Sequence, residues 1–211
     1  MWGFIAMYTR FFKRFFDLTL SLAGLLVLTL PMLLVAIIIK LDSPGPVLFR
    51  QRRIGIHKTE FTILKFRSMP VTVPKDLPTH LFRAEDMLSK WQKFMRKASI
   101  DELPQLINIF RGDMSIIGPR PALWNQSELI AERDKYGAND VKPGLTGWAQ
   151  INGRDELPDD VKARFDGEYT SNISFYFDCK CFFLTFGKVL RREGVVEGGV
   201  SNKQEKENIE V

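Results

Sequence analysis

Cysteine and histidine are scarce in this chain of 211 residues, and their spacing excludes several classes of protein. The two cysteines, Cys179 and Cys181, are too close along the chain for an ordinary disulfide. Neither they nor His57 and His80 have the spacing of a zinc finger. The sequence therefore argues against a disulfide-stabilised secreted domain or a zinc module, and it favours a reducing compartment in which the cysteines are small buried side chains.

The chain also lacks a long basic tract, although its formal net charge is +5. Its basic residues gather instead around an apolar N-terminal segment. This pattern favours an anionic membrane surface or a phosphorylated substrate as partner, and it argues against nucleic acid. With 45% hydrophobic and 26% charged residues, the composition is that of a folded protein, and the length suits one compact domain with an attachment segment.

An uncharged run, LTLSLAGLLVLTLPMLLVAIII, covers residues 18–39. As a helix rising about 1.5 Å per residue it would be about 33 Å long, which is enough to cross a bilayer. The run is longer than the apolar core of a signal peptide, and no small-residue cleavage site precedes the next charges. We therefore expect this segment to remain attached as a membrane anchor.

Positive residues flank the run at both ends, namely Arg10, Lys13 and Arg14 before it and Lys40, Arg50, Arg52 and Arg53 after it. A single crossing would place one of these groups outside, against the tendency of lysine and arginine to stay cytoplasmic. Pro31 removes a backbone hydrogen bond near the middle of the run, and Thr29 can bond a freed carbonyl. These features favour a re-entrant hairpin bent near Pro31 over a kinked spanning helix.

Beyond the prolines of LDSPGPV, the segment from Val47 to Met69 predicts two short strands around a turn near residues 55–58. Lys65 falls on the same face of the second strand as Phe61 and Ile63. It could protect a sheet edge from aggregation or bind phosphate, and the pattern is compatible with both. Segments 80–97 and 171–192 have helical spacing, and their aromatic faces suit either a membrane surface or a core.

Two adjacent acids, Asp101 and Glu102, precede the apolar helical run LINIF. One interpretation is a capping box, in which Ser99 accepts from the backbone and Glu102 reaches back. The other starts from Pro104, which restricts where the helix begins and places Asp101 beside its first turn, where exposed N–H groups attract phosphate. A carboxylate and a phosphate repel each other, so this second interpretation requires a cation, and Mg²⁺ held with Glu102 would supply it.

Two later motifs suit phosphate or nucleotide contacts. Arg120 lies between two prolines that fix its backbone, which suits forked binding of a phosphate group. In VKPGLTGWAQINGR, Gly147 allows a close backbone approach, Trp148 is available for stacking, and Arg154 ends the motif. Each feature alone is also compatible with an ordinary solvent-exposed loop.

In combination, the apolar anchor, DSPGPV, KFRSM, DELPQLINIFRGDMSIIGPRP and PGLTGWAQINGR resemble the bacterial sugar transferase family in order and spacing. These are monotopic phosphoglycosyl transferases, also called undecaprenyl-phosphate sugar phosphotransferases, and the resemblance runs from about residue 11 to residue 196. It implies a small family member at the cytoplasmic face of the bacterial inner membrane. Such an enzyme transfers a sugar 1-phosphate from a UDP-sugar to undecaprenyl phosphate and releases UMP.

The resemblance also implies roles for individual residues. Asp101 would be the nucleophile that forms an aspartyl phosphosugar, and Glu102, with Asp101, would hold Mg²⁺. It implies that Lys65, Arg96 and Arg120 contact phosphate. It implies that the nucleotide end of the donor is bound by Gly147, Trp148 and Arg154. Asp166 would bind a metal or maintain the structure of the site. Leu30 precedes the bend proline, where small members often carry serine, and this departure weakens the hairpin prediction.

The predicted fold is a predominantly helical α+β protein with a re-entrant membrane hairpin and a small cytoplasmic catalytic domain that contains a β-hairpin. We predict an anchor over residues 1–40, a catalytic domain over 41–197 and a flexible tail over 198–211. Two other functions fit some of the features: a glycosyltransferase that releases UDP, and a non-catalytic lipid-binding scaffold. The sequence leaves open the sugar, the pathway and the oligomeric state, with a homodimer among the options.

Overall fold

The computed structural model describes residues 7–73, 88–153 and 157–191. Within these ranges the chain is mostly helical and contains two sheets of two strands each. The predicted α+β class with a β-hairpin is therefore confirmed. The predicted tail, residues 198–211, lies outside the described residues.

Helix α1, Lys13–Asp42, follows a π-helical turn, Tyr8–Phe12, and contains the whole apolar run. It is long and apolar enough to cross a membrane by length and composition. Pro31 lies inside this helix. The hydroxyl of Thr29 donates to the carbonyl of Leu25 at 2.5 Å, four residues earlier, and not to the Val27 carbonyl that Pro31 leaves without its helical donor.

Among the described residues, the two ends of α1 pack against other segments, whereas its middle is largely exposed. Near the end, Val35 and Ile39 are buried together with Phe66 and Met95. Near the start, Asp17 and Ser21 are buried. Between them, residues 26, 27 and 30 expose 68–75% of their surface, so an apolar stretch projects from the globular part.

Polar contacts fix the start of α1, and we call the group formed by Lys13, Asp17, Tyr169 and Asp178 the anchor joint. Asp178 accepts from Lys13 Nζ at 2.6 Å, from Tyr8 Oη at 2.7 Å and from Tyr169 Oη at 2.7 Å. Asp17 Oδ1 accepts from the hydroxyl of Ser115 at 3.0 Å and from the backbone N–H of Ile116 at 2.8 Å. These bonds tie the helix to segments distant in sequence.

The β-hairpin pairs β1, Leu48–Ile54, with β2, Glu60–Phe66, in antiparallel register. A short 3₁₀ turn, Ile56–Lys58, joins the strands, so the predicted pair of strands around this turn is confirmed. Ile63, Leu64 and Phe66 are buried, which places β2 on the core side of the hairpin.

The remaining elements follow in chain order: α2, Lys90–Lys97; α3, Gln105–Arg111; β3, Ser115–Ile117; α4, Ser127–Asp134; β4, Gly144–Thr146; α5, Trp148–Ile151; α6, Asp159–Ser171; and α7, Phe175–Arg191. Strands β3 and β4 pair in parallel. Helix α2 confirms part of the helix predicted over residues 80–97, of which residues 80–87 lie outside the described part.

Helix α7 confirms the helix predicted over residues 171–192. One of its faces packs in the core and the other is exposed. Phe177 and Cys181 are buried in a cluster with Ile117 and Tyr169. On the other side of the helix, five phenylalanine and tyrosine side chains remain exposed: Phe175, Tyr176, Phe182, Phe183 and Phe186. Of the two free thiols, Cys181 is buried and Cys179 is partly exposed, so the prediction of two buried cysteines holds for one of them.

Candidate active site

The adjacent acids Asp101 and Glu102 lie in a 3₁₀ turn, Ile100–Glu102, just before α3 begins at Gln105. Ser99 precedes the turn with a left-handed backbone, φ 54°, and its hydroxyl makes no capping bond. The capping-box interpretation of Ser99 and Glu102 is therefore wrong. A capping box does form at the start of α2, where Ser89 and Gln92 bond reciprocally at 3.1 and 3.2 Å.

Glu102 binds two cations instead of capping the helix. Its Oε1 accepts from Lys65 Nζ at 2.8 Å and from Arg120 Nη1 at 3.3 Å. The three residues come from β2, the 3₁₀ turn and the loop after β3, so the fold brings together groups that are far apart in sequence. The side chains of Lys65 and Glu102 are only 15% and 12% exposed, which strengthens their attraction relative to a surface pair.

Asp101 lies beside this group but is bonded less completely. Its Oδ2 accepts from the hydroxyl of Ser68 at 3.1 Å, and Oδ1 accepts no hydrogen bond within the described ranges. Burial raises the pKa of the Asp101 carboxyl above its ordinary value, and the charge of Lys65 opposes that shift. Burial also lowers the pKa of Lys65, against the effect of Glu102. The site therefore holds desolvated charges of both signs, as reactive sites commonly do.

A cavity of about 780 Å³ opens beside Asp101. Its polar lining includes Arg53, Lys65, Ser68, Arg96 and Asp101, and its apolar lining includes Val47, Leu48, Phe66 and Met69. The Nε of Arg96 is buried without a hydrogen-bond partner among the described residues. A cavity with several cations near one carboxylate suits a ligand with more than one negative charge, such as a diphosphate.

Sequence reasoning missed Arg53 and Ser68 as site residues. Arg53 donates to the carbonyl of Pro121 at 2.9 Å and to the side chain of Gln51 at 2.6 and 3.0 Å, so it connects β1 to the loop that carries Arg120. Alternation in β1 places Gln51 and Arg53 on one face, which was a usable signal. Ser68 belongs to the KFRSM motif and directly follows β2, but only the fold places it next to Asp101.

Glycines position the Arg120 loop. The N–H of Gly118 donates to the carbonyl of Thr146 at 2.9 Å, and that of Gly144 donates to the carbonyl of Pro119 at 2.8 Å. A Cβ at Gly147 would overlap the carbonyl oxygen of Gly118. The predicted close approach at Gly147 thus occurs within the chain, where Gly147 packs against the backbone that leads to Arg120.

Trp148 and Asp166 lie away from both the cavity and the ion pairs of Glu102. Trp148 packs on Phe177 with ring centroids 5.1 Å apart, and its Nε1 donates to Glu168 at 2.9 Å. Asp166 is 1% exposed and accepts two hydrogen bonds from Arg133, at 2.6 and 2.8 Å. This buried pair ties α4 to α6. Arg154 lies outside the described residues.

Asp101 and Glu102 are the residues of this site that could bind a metal ion. Within the described ranges there is no group of three or more His, Cys, Asp or Glu side chains that could hold a metal by themselves. Mg²⁺ prefers oxygen ligands, retains several waters, and is often held by one or two carboxylates together with substrate phosphates. The donor set of Asp101 and Glu102 fits this mode of binding.

The chain matches the family model described as bacterial sugar transferase over residues 8–192. It is 42% identical to the sugar transferase EpsL of Bacillus subtilis, over 87% of this chain and 89% of that protein. It is 38% identical to the UDP-glucose:undecaprenyl-phosphate glucose-1-phosphate transferase of Escherichia coli and 45% identical to the undecaprenyl-phosphate glucose phosphotransferase of Komagataeibacter xylinus. These matches cover 85% and 82% of this chain but 40% and 35% of the two relatives.

Proposed function

The chain belongs to the bacterial sugar transferase family, and we propose that it transfers a sugar 1-phosphate from a UDP-sugar to undecaprenyl phosphate, releasing UMP. The observation that carries this proposal is the partly buried Asp101 carboxylate, which accepts one hydrogen bond in the described part of the chain and faces a cavity lined by cations. The names of the two longer relatives supply the substrate classes.

The reaction has two steps at one carboxylate. Oδ1 of Asp101 attacks the β-phosphorus of the donor, the bond from that phosphorus to the bridging oxygen breaks, and UMP leaves with the oxygen and the electron pair. A phosphate oxygen of the lipid then attacks the same phosphorus, which releases Asp101 and gives undecaprenyl diphosphate sugar. Covalent catalysis of this kind lets a water-soluble donor and a lipid acceptor use the site in turn.

Charge neutralisation is the main task of the other residues, because phosphoryl transfer depends on positioning and electrostatics. Lys65, Arg96 and Arg120 are the cations that would contact the diphosphate. Glu102 orients Lys65 and Arg120 through its two ion pairs. Glu102 and Asp101 would hold Mg²⁺, which supplies positive charge to the diphosphate when bound.

The contacts of α1 support the re-entrant topology. Near its start, Arg14 donates to the carbonyls of Ile109 and Phe110 at 2.7 and 2.8 Å. At its end, Arg67 donates to the carbonyl of Ser43 at 2.7 Å. Both ends of α1 thus contact the same globular part of the chain. A straight helix of 30 residues is about 45 Å long, which exceeds the thickness of the bilayer core. A helix that crossed the bilayer would separate its ends by the membrane.

With this topology, the positive residues that flank the apolar run favour the cytoplasmic face of the inner membrane for the catalytic domain, and membrane lipids would surround the exposed apolar middle of α1. Tags at the two termini should therefore both be accessible only from the cytoplasm. A C-terminal tag that is accessible from the periplasm would contradict the hairpin. In this position the enzyme would start the assembly of a membrane-linked glycan, such as an exopolysaccharide, a capsule, an O-antigen or a glycoprotein glycan.

The identity of the released nucleotide tests the reaction. The protein is incorporated into vesicles with undecaprenyl phosphate and Mg²⁺, and a panel of UDP-sugars is supplied in turn. We expect UMP from at least one donor, and that donor identifies the sugar. Release of UDP would indicate the glycosyltransferase alternative, and no nucleotide release with any donor would favour the scaffold.

Label transfer tests the covalent step. A donor labelled in its β-phosphate should leave label on Asp101 when the lipid acceptor is omitted, and mass spectrometry of peptides locates it. Asp101→Asn should carry no label. Normal turnover without label on this residue would contradict the aspartyl intermediate.

A further inference from the structure

We infer that Ser68 is a positioning residue for Asp101, an inference that rests on the proposed covalent mechanism. The hydroxyl of Ser68 donates to Oδ2 of Asp101 at 3.1 Å. The residue is 7% exposed, so the bond is protected from competition with water. Lys65, a cation that also lines the cavity, donates to Glu102.

The bond matters because the two carboxylate oxygens of an aspartate are chemically equivalent and the terminal torsion of the side chain is broad. Attack requires one of these oxygens to be aligned with the phosphorus. A hydrogen bond to Oδ2 fixes the carboxylate plane and leaves Oδ1 available for attack. Misplacement of a reacting group by about 1 Å can lower the rate about a hundredfold, so this orientation has a large effect.

The backbone at Ser68 is itself held firmly. The preceding residue, Arg67, is buried and donates from its side chain to the carbonyl and the hydroxyl of Ser43, at 2.7 and 3.0 Å. Its backbone N–H donates to the carbonyl of Val47 at 2.9 Å. Ser68 therefore lies between a fixed strand end and the segment that leaves α1, which is the rigid support that a positioning residue needs.

The chain offers a matched control for the loss of this bond. Ser115 is also buried and donates its hydroxyl to an aspartate, Oδ1 of Asp17, at 3.0 Å. It lies in the contact of β3 with α1 and does not line the cavity beside Asp101. Ser115→Ala and Ser68→Ala thus remove the same group from similar surroundings, and only the second removes it from the nucleophile.

The test follows the first turnover, which is the burst of UMP from the donor in the absence of lipid acceptor. At saturating UDP-sugar we expect Ser68→Ala to be about tenfold to a hundredfold slower than the wild type, with little change in donor affinity. Ser68→Thr, which keeps the hydroxyl, should recover most of the rate. Ser115→Ala should match the wild type per folded molecule, and thermal unfolding of each variant in detergent gives the folded fraction.

The outcomes separate this inference from the function on which it rests. No UMP burst from the wild type would contradict the proposed function itself. With a wild-type burst present, equal rates for Ser68→Ala and Ser115→Ala would overturn the role of Ser68. The role would also be overturned if Ser68→Thr were as slow as Ser68→Ala, or if the loss lay wholly in donor affinity, because the hydroxyl would then contact the donor.

Discussion

The anchor joint contains buried carboxylates and the candidate active site contains partly buried ones, and the two regions differ in how completely these groups are hydrogen bonded. In the anchor joint, Asp178 accepts three hydrogen bonds and Asp17 accepts two. In the active site, Asp101 accepts one within the described ranges. Each hydrogen bond that a carboxylate accepts stabilises its charge, so Asp101 is the least stabilised of these three carboxylates and the most available to a ligand.

The two regions also differ in how closely their surroundings are packed. The anchor joint is closed by the packing of Tyr169 and Phe177, whose rings stack 5.7 Å apart. The active site opens into a cavity of about 780 Å³, and the buried Nε of Arg96 lacks a partner there among the described residues. If Asp101 is the nucleophile that we propose, the number of hydrogen bonds accepted distinguishes the carboxylates that fix the structure from the one that reacts.

The largest expected effect is at Asp101. Asp101→Asn removes the nucleophile but keeps the shape of the side chain, so UMP formation should fall by a factor of at least about 1,000. Thermal unfolding should change little, because Asn can still accept from Ser68. Nucleotide analysis and thermal unfolding of the same sample check both parts. Retained turnover would contradict this distinction, because Asp101, the carboxylate with the fewest hydrogen bonds, would then not be the reactive one.

The anchor joint should respond in the opposite way. Asp178→Asn leaves Lys13, whose side chain is only 13% exposed, without its anionic partner, which should cost about 3 kcal/mol of stability. The rate of the UMP burst per folded molecule should stay near the wild-type value, because the active site is built from other residues. Thermal unfolding in detergent, followed by a burst assay on the folded fraction, measures the two effects. A lost burst in folded protein would mean that the joint also supports catalysis.

A smaller effect is expected where the Arg120 loop is held. Gly147→Ala forces a methyl group against the carbonyl of Gly118 and should cost about 1–3 kcal/mol, with a slower UMP burst as Arg120 moves. Gly187→Ala is the matched control, since a Cβ there meets no atom within 4 Å. In helix α7 this control should be neutral or slightly stabilising. Equal behaviour of the two variants would contradict the role of Gly147.

The smallest effect concerns the cysteines beside the anchor joint. Burial raises the pKa of Cys181 to about 12, so its reactive thiolate is rare at neutral pH, whereas Cys179 is partly exposed. Iodoacetamide should modify Cys179 in the folded protein and leave Cys181 intact, as peptide mass spectrometry can show. Because the reagent reaches Cys181 only after unfolding, Asp178→Asn should increase its labelling. Rapid labelling of Cys181 in the wild type would show that the joint is open.

Much of this molecule was predictable from local sequence patterns. The apolar run predicted α1, alternation predicted β1 and β2, and the linked motifs identified the family. Lys65, Glu102 and Arg120 were predicted as site residues and lie together. The capping box at Ser99 was wrong because the S-x-x-E pattern does not report tertiary ion pairs, and here Lys65 and Arg120 hold the glutamate.

The sequence by itself determined the elements and the chemical groups, because helix length, strand alternation and the identity of acids and bases are local properties. The tertiary structure decided which of these groups meet. It brought Ser68 within hydrogen-bond distance of Asp101, paired Asp166 with Arg133, and paired Asp178 with Lys13 at the start of α1. Such contacts join residues up to 170 positions apart, and only the packing of the chain fixes distances across that separation.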